Sequence, residues 1–121
     1  MFFDKVPSDN KIIIKDLINI LSIIDKKDHW CQRSLARDIN NESVFNPYDE
    51  KAVKFCILGA AYKVESSKET ISFLENVSLK NGYSGIDRVN DLHNHEDIIK
   101  FLLACLSNLG YNTRKLKRSL K

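Results

Sequence analysis

Ile13, Leu17, Ile20, Leu21 and Ile24 recur at i, i+4, i+7, i+8 and i+11, an interval that allows one structure, a helix with a single buried face. The spacing predicts a helix over 9–25, capped by Ser8 or Asp9, with Lys15, Asp16 and Asn19 on its outer side. Isoleucine is a weak helix former, so burial of the stripe has to hold this helix. A second stripe of the same period, Ile98, Leu102, Cys105, Leu106 and Leu109, opens at Asn94 or His95, carries Glu96 and Asp97 in its first turn and stops at Gly110. Only 4 Gly and 2 Pro in 121 residues argue against a loop-rich or multi-turn β fold, and 43% apolar residues suffice to bury a core.

Between the two stripes the best start signal is Asn46-Pro47, with Asp49 and Glu50 behind it at the positive end of the helix dipole. It predicts a helix continuing through Ala52, Phe55, Ile57 and Tyr62, apolar nearly all round and therefore the most enclosed. Within it Gly59-Ala60-Ala61 lets another backbone or a large group approach closely, and Trp30 is the candidate plug. Ser66 and Glu69 form a capping-box pattern for a helix over 66–82 that buries Ile71, Leu74, Val77 and Phe73 and ends at Asn81-Gly82. Residues 83–93 read as an ordered loop anchored by Ile86, Val89 and Leu92. The aperiodic stretch 26–46 has two readings: a hairpin of 35–38 with 43–45 about an Asn40-Asn41 turn, or a short helix from Asp28. The expected fold is a mainly α, compact single-domain bundle of about four helices with room for one small β-hairpin.

Charge divides the chain at residue 113. Arg114, Lys115, Lys117, Arg118 and Lys121 place five cations and no acid in the last eight residues, so a helical domain over 1–113 is followed by a basic tail over 114–121. The remainder carries a slight excess of acid, which disfavours a nucleic-acid platform. Leu116 and Leu120, four apart, give the tail an apolar side that can dock on the body. No apolar run approaches the roughly 18 residues of a membrane span, and the first residues lack the basic-then-apolar order of a signal peptide. Three cysteines at 31, 56 and 105 suit reduced thiols, and the expected location is a bacterial cytoplasm, with delivery into a host cell left open.

Several chemistries can be tested against spacing. His29-x-Cys31 and His93-x-His95 contain zinc-type ligands, but one intervening residue is the wrong interval away from a strand, so no metal is expected. Cys31 with His29 or His93 as base and Asp91 as orienting group is a conceivable thiol-nucleophile set, the enzyme alternative of a small hydrolase or transferase. Cysteines on apolar stripes are more often packing atoms. Neither GxxxxGK[ST] nor GxGxxG occurs, and no cofactor is expected. What remains is a polar set around one large ring: Trp30, Gln32, Arg33, Arg37 and Asp38, with Asn90 and Asp91 from a second segment. Trp and Arg are enriched at binding hot spots, whereas a structural role has Trp30 plugging the Gly59 patch beside an Arg37–Asp38 pair.

The same residues follow an ordered signature: W-C-Q-x3-A-R-D at 30–38, then Val44, Pro47 and Ala52, F-C-x2-G-A at 55–60, V-N-D at 89–91 and an apolar last helix. In that order they resemble a family of small bacterial and phage proteins, common in actinobacteria, known as a domain of unknown function. The likeness spans roughly residues 15–109. It implies a mostly helical single domain in which Trp30, Gln32, Arg37, Asp38, Cys56, Gly59, Ala60, Asn90 and Asp91 form one structural signature, and it implies no activity. Family members often carry glycine after the Gln and in the polar turn, where this chain has Arg33 and Asn40-Asn41.

These readings converge on a non-enzymatic module that binds another protein, a bacterial enzyme in the sharpest version, through Trp30, Gln32, Arg33, Arg37, Asp38, Asn90 and Asp91. Richness in Ile, Lys and Asn points to a low-GC, host-associated bacterium, where a small inhibitor or regulator of a ubiquitin-modifying effector fits the size. Nucleotide or nucleic-acid binding through the basic tail and Trp30 is the other alternative, and homodimerisation through an apolar helix fits without a heptad to fix it.

Overall fold

The computed structural model describes residues 8–120, with side chains from Asn10 onward, so the side-chain capping expected of Ser8 or Asp9 lies outside what is described. The chain runs α1 (Ser8–Ile24), a 3-10 turn (Lys27–His29), β1 (Ala36–Arg37), β2 (Ser43–Val44), β3 (Lys54–Phe55), α2 (Ile57–Lys63), α3 (Lys68–Lys80), α4 (Ile86–Leu92), α5 (His95–Asn108) and α6 (Arg114–Ser119). The mainly helical class holds, with six α-helices among the described residues where about four were expected. No helix among the described residues is long and apolar enough to cross a membrane.

Helix α1 buries the stripe that its spacing predicts: Leu17, Ile20 and Ile24 have no exposure, and Ile13 and Leu21 little. It packs on α2, α3 and α5, which makes it the hub of the core. Asp16 departs from its expected outer position. Its carboxylate is buried and accepts from the Ser67 amide at 2.9 Å and from the Thr70 hydroxyl at 2.6 Å, so it caps α3 from outside. Ser67, one residue beyond the predicted Ser66, is the N-cap of α3, its hydroxyl accepting from the Thr70 amide.

The hairpin reading of residues 35–45 is the one adopted. β1 pairs antiparallel with β2 and, on its other side, with β3, giving the order β2-β1-β3. Val44, Ala36 and Phe55 stand in one register row facing the core, and Ser43, Arg37 and Lys54 form the alternate row. The helix expected from Asn46 begins only at Ile57. The Asn46 side chain accepts from the Tyr48 amide at 3.0 Å and that of Asp49 from the Lys51 amide at 2.9 Å, so the start signal makes two successive turns. An Asx side chain offers the same bond to a turn as to a helix, and the Val53 amide, donating to the Arg37 carbonyl at 2.9 Å, commits the chain to β3. Cys56 caps α2, its sulfur accepting from the Gly59 amide at 3.2 Å.

The small-residue patch on α2 admits a backbone, as its lack of bulk suggests, and not the Trp30 ring as plug. A Cβ on Gly59 would stand 1.8 Å from the carbonyl oxygen of Leu35, so the residue leading into β1 rests on the helix. The segment expected as a loop forms α4, whose first amide donates to Glu75 Oε1 at 2.6 Å. Ile86 and Val89 anchor it in the core, while Leu92 is exposed. Asn94 caps α5, and Gly110 follows that helix with φ +90°, the left-handed stop expected there. Within the basic tail Arg114–Ser119 form α6, and Leu116 together with Leu120, the C-cap, packs against the core cluster.

Candidate functional site

Of the seven residues singled out from sequence, Trp30, Gln32 and Arg33 of the loop 30–34 meet Asn90 and Asp91 at the end of α4, Arg37 joins them through the Gln32 carbonyl, and Asp38 stands apart in the hairpin turn. Asn90, fully buried, is the centre. Its Oδ1 accepts from the Trp30 indole at 2.8 Å and the Ile57 amide at 3.0 Å, and its Nδ2 donates to the Cys31 carbonyl at 3.0 Å and to Asp91 Oδ1 at 3.1 Å. One side chain thereby ties the loop, α2 and α4 together. The Gln32 amide donates to the carbonyls of Asn90, Asp91 and His93, at 2.8 Å to the last, and satisfies acceptors that α4 leaves open at its end.

Arg33 enters through its backbone: φ is 61°, and its amide donates to Asp91 Oδ1 at 2.9 Å. The left-handed region is rare for a side chain of this size, and the Asp91 bond holds the residue there. Arg37 is not paired with Asp38. Its guanidinium donates to the Gln32 carbonyl at 3.1 Å and the Asn41 carbonyl at 2.9 Å, while Asp38 Oδ1 accepts from the amides of Asn40 and Glu42 and shapes the hairpin turn. Asn41 takes φ 67°, the conformation for which Asn suits such a turn.

A cleft of ≈ 310 Å³ opens beside this knot, lined by Lys27, Trp30, Gln32, Arg33, Arg37 and Asn41 among others. Lys54 reaches its edge, donating to Asn41 Oδ1 at 3.4 Å. Lys27 and Lys54 escaped the sequence reading because charge in an aperiodic segment has no visible partner until the chain folds, and Asn41 was read only as a turn residue. The same holds for the apolar side chains nearby. Ile39 is 82% and Phe45 89% exposed, and with Tyr48 and Val53 they account for four of the eight exposed large apolar side chains among the described residues.

The thiols are buried, and none is placed as a nucleophile. Burial pushes the Cys31 and Cys105 thiols up to about 12, and Cys56 is raised by the same cause. Cys31 Sγ contacts the Ser34 carbonyl at 3.6 Å. Two of the histidines bond elsewhere: His93 Nε2 meets the Tyr83 hydroxyl at 2.6 Å, with Asp97 3.8 Å from Nδ1, and His95 Nε2 meets the Ile24 carbonyl at 2.7 Å, while His29 is exposed in the 3-10 turn. Among the described residues no group of three or more His, Cys, Asp or Glu is arranged to hold a metal ion. The Tyr83–His93 pair borders an apolar groove of ≈ 360 Å³ floored by Val89, Ile98 and Phe101. No family model, curated protein or solved structure matches the chain.

Proposed function

We propose that the protein is a non-enzymatic module that binds another protein, as an inhibitor or regulator, through the hairpin and the loop that follows it. The observation that carries this reading is the placement of Ile39, Phe45, Tyr48 and Val53 in water on a segment that is itself pinned. Exposed large apolar side chains gathered on one segment mark an interaction surface more often than scattered ones do. The turn is held by Asp38 and its far side by Arg37, so little ordering remains to oppose association. Glu42 and Glu50 as well as Lys51 and Lys54 border the apolar residues, so the matching partner surface is an apolar socket with a rim of mixed charge.

In this reading Trp30, Gln32, Asn90 and Asp91 form the frame that presents the surface, while Arg33 and Arg37 belong to both frame and surface. The test is capture from a lysate of the source cell by three immobilised forms: the wild type, an Ile39→Ser/Phe45→Ser variant, and a Leu79→Ser control on α3. A protein retained by wild type and control and lost from the hairpin variant supports the proposal. Equal retention on all three, or retention on none, removes it.

A further inference from the structure

We propose that the cleft between the Lys27–His29 turn and the hairpin is a carboxylate-binding subsite that receives an acidic side chain of the protein partner. It rests on the binding reading above and gives that partner a chemistry. Lys27, Arg33 and Arg37 line the cleft, and Lys54 stands at its edge. None of the four has a carboxylate within ion-pair distance among the described residues, where the pairs present are His93–Asp97 and Lys100–Glu96. Arg37 is the telling member because it is half-buried and its hydrogen bonds go only to the carbonyls of Gln32 and Asn41. Neutral acceptors satisfy donors but do not cancel charge, and a partly desolvated cation without a counter-ion attracts one.

Three of the five guanidinium N–H groups are engaged, which leaves two to meet a planar carboxylate. The fork of Arg33 and the ammonium of Lys27 make no intramolecular hydrogen bond among the described side chains, and the Trp30 ring supplies a wall for the aliphatic stem of a Glu or Asp. Asp38 and Glu42 in the hairpin turn, and Asp91 behind the Arg33 amide, moderate the local potential. That balance favours a monoanion over a phosphate dianion.

A tetraglutamate peptide blocked at both ends, titrated into the full chain at low salt and followed by amide and indole N–H chemical shifts, tests the assignment. Saturable shifts at Lys27, Arg33, Asn41 and the Trp30 indole are expected, weakening as salt is added. Arg33→Gly removes the guanidinium at a backbone angle that glycine adopts freely, so the fold is kept, and affinity is expected to fall about tenfold. Unchanged affinity in that variant, shifts centred on α6, or inorganic phosphate binding tighter than the peptide would each overturn the proposal. Absence of any shift overturns it too, while the docking surface is judged separately by the Ile39/Phe45 capture.

Discussion

The indole of Trp30 and the amide of Asn90, sixty positions apart in the chain, meet at 2.8 Å through an oxygen that the Ile57 backbone shares at 3.0 Å. Replacing Asn90 by Ala leaves the Trp30 and Ile57 donors and the Cys31 carbonyl without this partner in a buried place. The expected loss is about 4 kcal/mol, given 1–3 kcal/mol for each stranded group and partial relaxation. Urea unfolding should show a lower midpoint with an unchanged slope, together with a shift in Trp30 emission.

Gly59→Ala is expected to destabilise although it substitutes the better helix former. The new methyl would lie 1.8 Å from a backbone oxygen at Leu35, which cannot turn aside as a side chain can. A loss of about 3 kcal/mol in thermal or urea unfolding is expected, where helix propensity alone would give a gain of about 1 kcal/mol.

Asp16→Ala removes the external cap of α3 and strands the Ser67 amide and the Thr70 hydroxyl. About 2–3 kcal/mol of stability should be lost. Asp16→Asn, which keeps one acceptor, should lose less, and hydrogen exchange at residues 67–70 should quicken in both variants.

The raised thiols make a pH prediction with a definite sign. Cys31 and Cys105 hold their protons to about 12 in the fold and release them near 9.0 once unfolded. The associated stability is therefore fully present below pH 9.0 and is lost as pH rises from there towards about 12. Each such thiol steepens the decline by about 1.4 kcal/mol per pH unit. Denaturation series at pH 8 to 11 should show a shallower decline for Cys105→Ala than for the wild type. Alkylation of the native protein at pH 7 should be slow at all three cysteines.

How far the fold was legible depended on whether the decisive interactions were local. The stripes of α1 and α5 were readable because one face of a helix is a repeating property of sequence, and the hairpin showed in Asn40-Asn41. The stop at Gly110 was equally plain. Asn46-Pro47 misled because a capping side chain serves a turn as well, and the strand pairing of Val53 with Arg37 that decides between them is tertiary. Asp16 looked exterior because periodicity marks apolar faces and is silent about a carboxylate recruited by a distant helix end. The residues of the candidate site were picked out together, yet their division into frame and surface was hidden. Gln32 and Asn90 are engaged internally, whereas the exposure of Phe45 and the unpaired charge of Lys27 leave no trace in composition.

The link between Trp30 and Asn90 also dictates when the molecule becomes competent. A chain emerging from the ribosome has its hairpin long before it has α4, and closing so wide a loop is entropically costly until the far segment can repay it with contacts. Until then the loop at 30–34 is fastened to β3, through the Cys31 amide on the Phe55 carbonyl, but not to α4. The cleft beside Trp30 would therefore be set in its final shape only in completed molecules, whereas the exposed apolar side chains of the hairpin would be on offer earlier.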